Sequence, residues 1–79
     1  MTLTADDVDD INLLAQFNLA NTHEGLKIHQ GSAAPEVLAA AERLFQRGLI
    51  TMEDGGYLTS LGLEAAGHAQ SLLTILRTT

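Results

Sequence analysis

The stretch from Ser32 to Thr59, SAAPEVLAAAERLFQRGLITMEDGGYLT, decides the fold of this chain of 79 residues. Its first half predicts one helix of about 15 residues, with Ser32 as N-cap and Pro35 in the first turn. Gly48 stands where a helix needs positive φ to stop, and Leu49 beyond it can contact the helix in a Schellman motif. The apolar residues of the helix have the spacing of a single face: Val37, Leu38, Ala41, Leu44 and Phe45.

The second half of the same stretch predicts a β-hairpin. The β-prone runs 49–52 and 56–59 flank Glu53-Asp54-Gly55, and Asp-Gly is a strong turn signal between strands. Upstream, residues 26–29 alternate apolar and polar side chains, which is the period of a half-buried strand. Because so short a strand needs a partner, we expect it to pair with the hairpin.

One helix is expected before residues 26–59 and another after them. Thr4 followed by Asp6 and Asp7 is typical of a helix start, and the apolar spacing behind it predicts a helix over about residues 5 to 20. Thr59 or Ser60 is expected to cap the last helix. The sequence therefore predicts an α+β, mainly helical fold, with about three helices and a small antiparallel sheet.

The last helix is apolar on two faces, whereas a surface helix of a monomer has one apolar stripe. Gly62 and Gly67 permit close backbone approach, and each costs ~1 kcal/mol relative to Ala inside a helix. We therefore expect a homodimer through this helix. The alternative is that one subunit covers both faces. The candidate interface residues are Leu61, Leu63, Ala65, Ala66, Ala69, Leu72, Leu73 and Leu76.

The composition and charge of the chain disfavour several classes of protein. The chain has no linker or repeat, so it is expected to be one domain over residues 1–79, and it has no cysteine for a disulfide or thiolate metal site. Its start, MTLTADDVDD, has acids where a secretory signal has bases, and no apolar run approaches ~18 residues. We expect a cytoplasmic protein without membrane association. The net charge of −6 opposes nucleic-acid binding at long range.

No pattern of catalytic, metal or cofactor chemistry is found. His23, His29 and His68 lack metal-ligand spacing, and no serine lies in a nucleophile elbow. Gly55-Gly56 reads as a hairpin turn, because a phosphate loop needs a strand before it and a helix directly after. The sequence therefore indicates a protein that is not an enzyme and needs no cofactor or metal.

The local sequence resembles that of winged helix-turn-helix domains over about residues 26 to 66. The run 43–50, RLFQRGLI, is similar to the end of a winged-helix recognition helix. The run 54–59, DGGYLT, is similar to the wing and its return strand, and Leu58-Thr59-x-x-Gly62-x-x-Ala65 to the helix that follows. The whole chain also resembles a small bacterial family of about 80 residues that carries a DNA-binding label.

The resemblance implies a DNA-binding, transcription-associated function in which the central helix enters the major groove. It implies Arg43 and Arg47 as readers, with Lys27 and His29 on phosphates. A full winged helix has two helices between the first strand and the hairpin. Either residues 18 to 24 supply a displaced short helix, or the unit is truncated.

The rival hypothesis is a protein-interaction module that keeps the winged-helix shape without binding DNA. Residues 26 to 58 hold three bases against Glu36, Glu42, Glu53 and Asp54, so this segment is net negative. The negatively charged wing tip Glu53-Asp54 would repel DNA phosphates, and the few basic residues of this segment can neutralise few of them. Acidic charge and surplus apolar helix surface favour this rival.

Overall fold

The computed structural model of the chain describes residues 1–21 and 23–78. In this part of the chain, three helices surround a small antiparallel sheet, which confirms the α+β, mainly helical prediction. The elements in chain order are α1 (Ala5–Leu14), β1 (Leu26–Lys27), α2 (Pro35–Gln46), β2 (Ile50–Met52), β3 (Gly55–Leu58) and α3 (Ser60–Leu76).

Helix α2 ends as its sequence predicts. Gly48 has a φ of 76°, and the Leu49 N–H donates to the Leu44 carbonyl at 2.9 Å, the long bond of a Schellman motif. The start differs from the prediction, because the N-cap is Ala34 and Ser32 caps nothing. The backbone N–H groups of Ser32 and Ala33 both donate to the His29 carbonyl. They close a separate turn before the helix begins at Pro35.

The sheet has the strand order β1-β3-β2, so the hairpin pairs with β1 as expected. Leu26 lies opposite Gly56, and Ile50 opposite Leu58. The β2–β3 register shifts between Ile50 and Met52. At that irregularity the Tyr57 N–H donates to the Thr51 side chain at 2.9 Å, which satisfies a ladder donor.

Helix α1 begins with a complete capping box between Thr4 and Asp7, whose pKa is lowered chiefly by hydrogen bonds from Thr4. It ends at Leu14, so the prediction of a helix to about residue 20 was wrong. The Gln70 side chain of α3 donates to the Phe17 carbonyl at 2.8 Å and to the Leu14 carbonyl at 3.4 Å. Tertiary bonds thus satisfy the carbonyls at this helix end, and the chain turns so that Phe17 is buried.

A close junction joins the end of α2 to the start of α3. The Thr59 hydroxyl accepts from the Gly62 N–H at 3.0 Å and donates to the Gly48 carbonyl, so one side chain binds both helix ends. A Cβ on Gly62 would lie 1.8 Å from the Leu49 carbonyl oxygen. Gly62 is therefore required by packing within one subunit, whereas a Cβ on Gly67 would meet nothing within 4 Å.

The core draws on every helix and on the sheet. Its fully buried large side chains are Leu13, Leu44 and Ile50, from α1, α2 and β2. Ala40, Ala41 and Ala66 let the three helices approach closely around them. No helix in residues 1–21 and 23–78 combines the length and the apolar character that crossing a membrane requires.

The element order is that of a winged helix with one helix fewer. Between β1 and β2 the described chain holds α2 alone, preceded by the single turn at residues 29–33. Residues 18–21 and 23–24 contain turns; Thr22 of the proposed displaced helix lies outside the described residues. One of these turns is closed by Asn18, whose side chain accepts from the Ala20 N–H. The described residues thus hold one helix between β1 and β2, where a full winged helix has two.

Replacing either of the two helical glycines of α3 by alanine is expected to change the free energy of unfolding, in opposite directions for the two positions. Gly67→Ala is expected to stabilise the protein by about 0.5–1 kcal/mol, because a helical Ala replaces Gly where space is open. Gly62→Ala is expected to cost at least about 2 kcal/mol, because its Cβ meets a backbone carbonyl that cannot move alone. Urea unfolding of both variants measures this, and equal effects would contradict the junction described above.

Candidate interaction surfaces

The two arginines expected to read DNA lie on the side of α2 that faces α1. Arg43 donates from Nη2 to Asp10 Oδ1 at 2.8 Å and from Nε to the same oxygen at 3.0 Å. Arg47 donates from Nη1 to Asp10 Oδ2 at 3.1 Å. One carboxylate on α1 therefore binds both guanidinium groups, and together these three residues form what we call the Asp10 cluster.

The Asp10 cluster is a structural contact between two helices. Asp10 is only 7% exposed, although it is an acid near a helix start. Arg43 Nη1 also lies 3.6 Å from a carboxylate oxygen of Asp6, and its pKa is raised above the ordinary value chiefly by the hydrogen bond to Asp10. All three guanidinium nitrogens of Arg43 thus lie near a carboxylate oxygen of Asp6 or Asp10. Arg47 stays largely exposed beyond its one bond.

The other two residues of the predicted DNA site lie elsewhere. The Lys27 ammonium pairs with Asp54 in the hairpin turn and lowers the pKa of that carboxyl. The stabilisation from this pair is present above the ordinary pKa of an aspartate and is lost as pH falls through the lowered value. His29 is exposed at the turn before α2. The structure thus divides the four residues into an α1-facing pair and a pair near the hairpin.

A groove separates α2 from the hairpin, where a winged helix would present its reading helix and wing. Two adjoining cavities of about 410 and 170 Å³ make up this groove. Three carboxylates line it, those of Glu42, Glu53 and Asp54, and Phe45 and Met52 add exposed apolar surface. A phosphate entering here would meet negative charge from both walls.

Helix α3 exposes one face that is apolar except for His68, and we call this face the α3 ridge. Ile75 is 70% exposed and Leu76 69%, while Leu61 and Leu72 are 54% and 51% exposed. The ridge has the spacing of one helix face, since its members follow one another by three or four residues. It consists of Leu61, Ala65, His68, Leu72 and Ile75, with Leu76 at its edge.

The residues predicted for a dimer interface occupy several environments. Leu61, Ala65, Leu72 and Leu76 belong to the ridge, and Leu63 is exposed on another side of α3. Ala66 and Ala69 are buried in the subunit core, and Leu73 is half-buried. One subunit therefore covers part of the second apolar face and leaves the ridge open. The interface itself stays a prediction.

Two residues of these surfaces, Ile75 and Asp10, are absent from the sequence-based predictions. Ile75 follows Leu72 by three residues, so the helical spacing signals it directly. Asp10 is one of four acids between Asp6 and Asp10, and its residue type alone does not indicate burial. Its signal is positional, since Leu13, Leu14 and Phe17 follow it at the i+3, i+4 and i+7 positions of the buried face. Within residues 1–21 and 23–78, no three acidic or histidine side chains are grouped to hold a metal ion.

Fold and surfaces together define a small α+β protein that is mainly helical. The chain belongs to the family described as "Family of unknown function (DUF5669)", which matches residues 1–77. Comparisons with curated proteins and with solved structures gave no match. The description of that family assigns no DNA binding, so the DNA-binding label expected from the sequence is not shown.

Neutralising the central carboxylate tests the Asp10 cluster. Asp10→Asn is expected to lower the free energy of unfolding by roughly 1–3 kcal/mol, because two guanidinium groups lose a charged acceptor. Asp9→Asn removes the same charge from the same helix outside the cluster and is expected to change it by less than about 0.5 kcal/mol. Urea unfolding measures both. An equal, small effect of the two variants would show that the cluster does not hold α1 to α2.

Proposed function

We propose that this protein is a protein–protein interaction module on a winged-helix-like scaffold, and that it self-associates through the α3 ridge. The single observation that carries the proposal is the exposure of Leu61, Leu72, Ile75 and Leu76 along one helix face. Single exposed apolar residues are ordinary, whereas several large ones on one helix face, here interrupted by His68, mark an interaction surface.

The size of the ridge predicts a weak homodimer. Burying the exposed part of each large side chain contributes on the order of 1–2 kcal/mol. For two copies this approaches roughly 10 kcal/mol, against an association cost of roughly 4–15 kcal/mol. At the low end of that cost the balance is roughly −6 kcal/mol, so we expect a weak dimer with a dissociation constant of about 10⁻⁵–10⁻⁴ M.

DNA binding through Arg43, Arg47, Lys27 and His29 is the competing proposal, supported by the element order of the fold. Three contacts weigh against it. Arg43 and Arg47 bind Asp10, Lys27 binds Asp54, and the groove between α2 and the hairpin is lined by acids. Reading DNA would require these ion pairs to break while the phosphates approach carboxylates, so the interaction module is the better-supported function.

Fluorescence anisotropy with a mixed-sequence DNA duplex separates the two proposals. The interaction module predicts no binding at about 100 µM protein in low salt, where non-specific DNA binders associate readily. Arg47→Gln and Arg77→Gln are a matched pair, since each removes one positive charge from a helix C-cap and only Arg47 belongs to α2's end. Salt-sensitive binding that Arg47→Gln loses and Arg77→Gln keeps would overturn the proposal in favour of DNA.

Sedimentation equilibrium tests self-association. The wild-type chain is expected to form a monomer–dimer equilibrium, and Ile75→Glu to weaken it at least tenfold, about 1.4 kcal/mol. Thr74→Glu adds the same charge at the neighbouring position, away from the ridge, and is expected to change the dissociation constant less than about twofold. A monomer up to about 500 µM, or equal effects of the two variants, would contradict association through the ridge.

A further inference from the structure

The groove between α2 and the hairpin, which we call the α2 groove, combines negative charge with apolar surface. Its smaller cavity, of about 170 Å³, is bordered by all three carboxylates of the groove together with Gln30 and Leu38. Its larger cavity, of about 410 Å³, shares two of the carboxylates and adds Phe45, Thr51 and Met52. The groove is therefore mainly acidic in one cavity and partly apolar in the other.

The carboxylates of the α2 groove carry more negative charge than the subunit neutralises. Asp54 pairs with Lys27. Glu42 accepts a hydrogen bond from the uncharged side chain of Gln46 at 3.4 Å. In the part of the chain that the structure describes, no basic side chain forms an ion pair with Glu42 or Glu53. Both of these glutamates are exposed, so their charge is open to a cation from another molecule.

The apolar part of the α2 groove has residue types that suit contact with another protein. Phe45 is 37% exposed and Met52 is 50% exposed. Aromatic residues and methionine are enriched in protein interfaces, and the flexible side chain of methionine adapts its packing to a partner. The face of an aromatic ring also attracts cations. Apolar contact is thus available beside the acids of the same groove.

The charge of the groove selects among possible occupants. A polyanion such as DNA is repelled by its carboxylates. A second copy of this chain has a net charge of −6, and three of its four lysines and arginines already bind aspartates within the subunit. A cationic segment of a different protein is complementary to the groove, and such complementarity speeds association and excludes acidic competitors.

We propose that the α2 groove binds a short basic segment of another protein in which a lysine or arginine stands beside an apolar residue. The cation enters the smaller cavity beside Glu42 and Glu53, and the apolar side chain covers Phe45 and Met52. A cavity of about 150 Å³ holds a benzene molecule, so the smaller cavity has room for the end of one basic side chain. This interaction is separate from self-association, because the groove and the α3 ridge lie on different elements.

Gln30 adds a means of holding the backbone of such a segment. Its side chain is exposed and borders both cavities. A carboxamide has two N–H donors and a carbonyl acceptor, so it can hydrogen-bond a peptide group that lies between the basic and the apolar side chain. Specificity for the segment then comes from the charge at one cavity and the apolar contact at the other.

Titration of ¹⁵N-labelled protein with a synthetic peptide tests the proposal. The probe is acetyl-GRLRLG-amide, and two matched peptides replace its arginines by glutamate or its leucines by glycine. We expect the probe to bind in low salt with a dissociation constant on the order of 10⁻⁴–10⁻³ M and to shift the amide resonances of Glu42, Phe45, Met52 and Glu53. The glutamate peptide is expected not to bind, and the glycine peptide to bind at least about threefold more weakly.

Two double variants separate the groove from the overall charge of the chain. Glu42→Gln with Glu53→Gln removes two charges from the groove, whereas Glu36→Gln with Glu64→Gln removes two exposed charges elsewhere. We expect the first variant to weaken binding of the probe at least about fivefold and the second less than about twofold.

Equal weakening by the two double variants would show attraction to the acidic chain as a whole and overturn the proposal. No shift changes at about 5 mM probe, or shift changes confined to α3, would also overturn it. Binding of the glutamate peptide in the groove would reverse the charge assigned to the partner, and a glycine peptide that binds as tightly as the probe would exclude the apolar contact.

Discussion

The carboxylate of Asp10 joins α1 to α2 through two guanidinium groups, and much of the rest of the structure follows from that contact. It orients Arg43 and Arg47 along the surface of α1, so the basic edge of α2 is neutralised within the subunit. A buried carboxylate needs charged or hydrogen-bonding partners, and here two cations supply them. The arginines that suggest nucleic-acid recognition in the sequence therefore serve to pack two helices.

Contacts between residues distant in the sequence also fix the position of α3. The junction at Gly48, Thr59 and Gly62 draws the start of α3 against the end of α2, and Gln70 ties the middle of α3 to the end of α1. These contacts use the glycine, alanine and glutamine positions of α3. The leucines and isoleucine of the ridge are left outside, because the other described elements pack against the opposite side of α3. The surface left uncovered is apolar, and it suits a protein partner better than a polyanion.

Local rules were sufficient wherever a short segment determines its own structure. Gly48 stops α2, Thr4 and Asp7 cap α1, and the hairpin forms, all as the sequence predicts. The hairpin turn is shorter than predicted, because it consists of Glu53-Asp54 and Gly55 already belongs to β3. The errors occur where distant residues intervene. Gln70 ends α1 at Leu14 from more than 50 positions away, and Asp10 becomes buried only because α2 brings two arginines to it. The His29 turn likewise took Ser32 out of its expected role as a cap. Candidate site residues chosen by charge alone could not reveal these partners.

The central claim is that the α3 ridge is the surface on which this protein associates. The most direct measurement is an isotope-filtered NOE experiment on a mixture of ¹³C-labelled and unlabelled protein at a concentration where association is detectable. The account predicts intermolecular NOEs from the methyl groups of Leu61, Leu72 and Ile75, and none from Phe45 or Met52 beside the α2 groove. Intermolecular NOEs that arise from the α2 groove while the ridge methyls show none would contradict it.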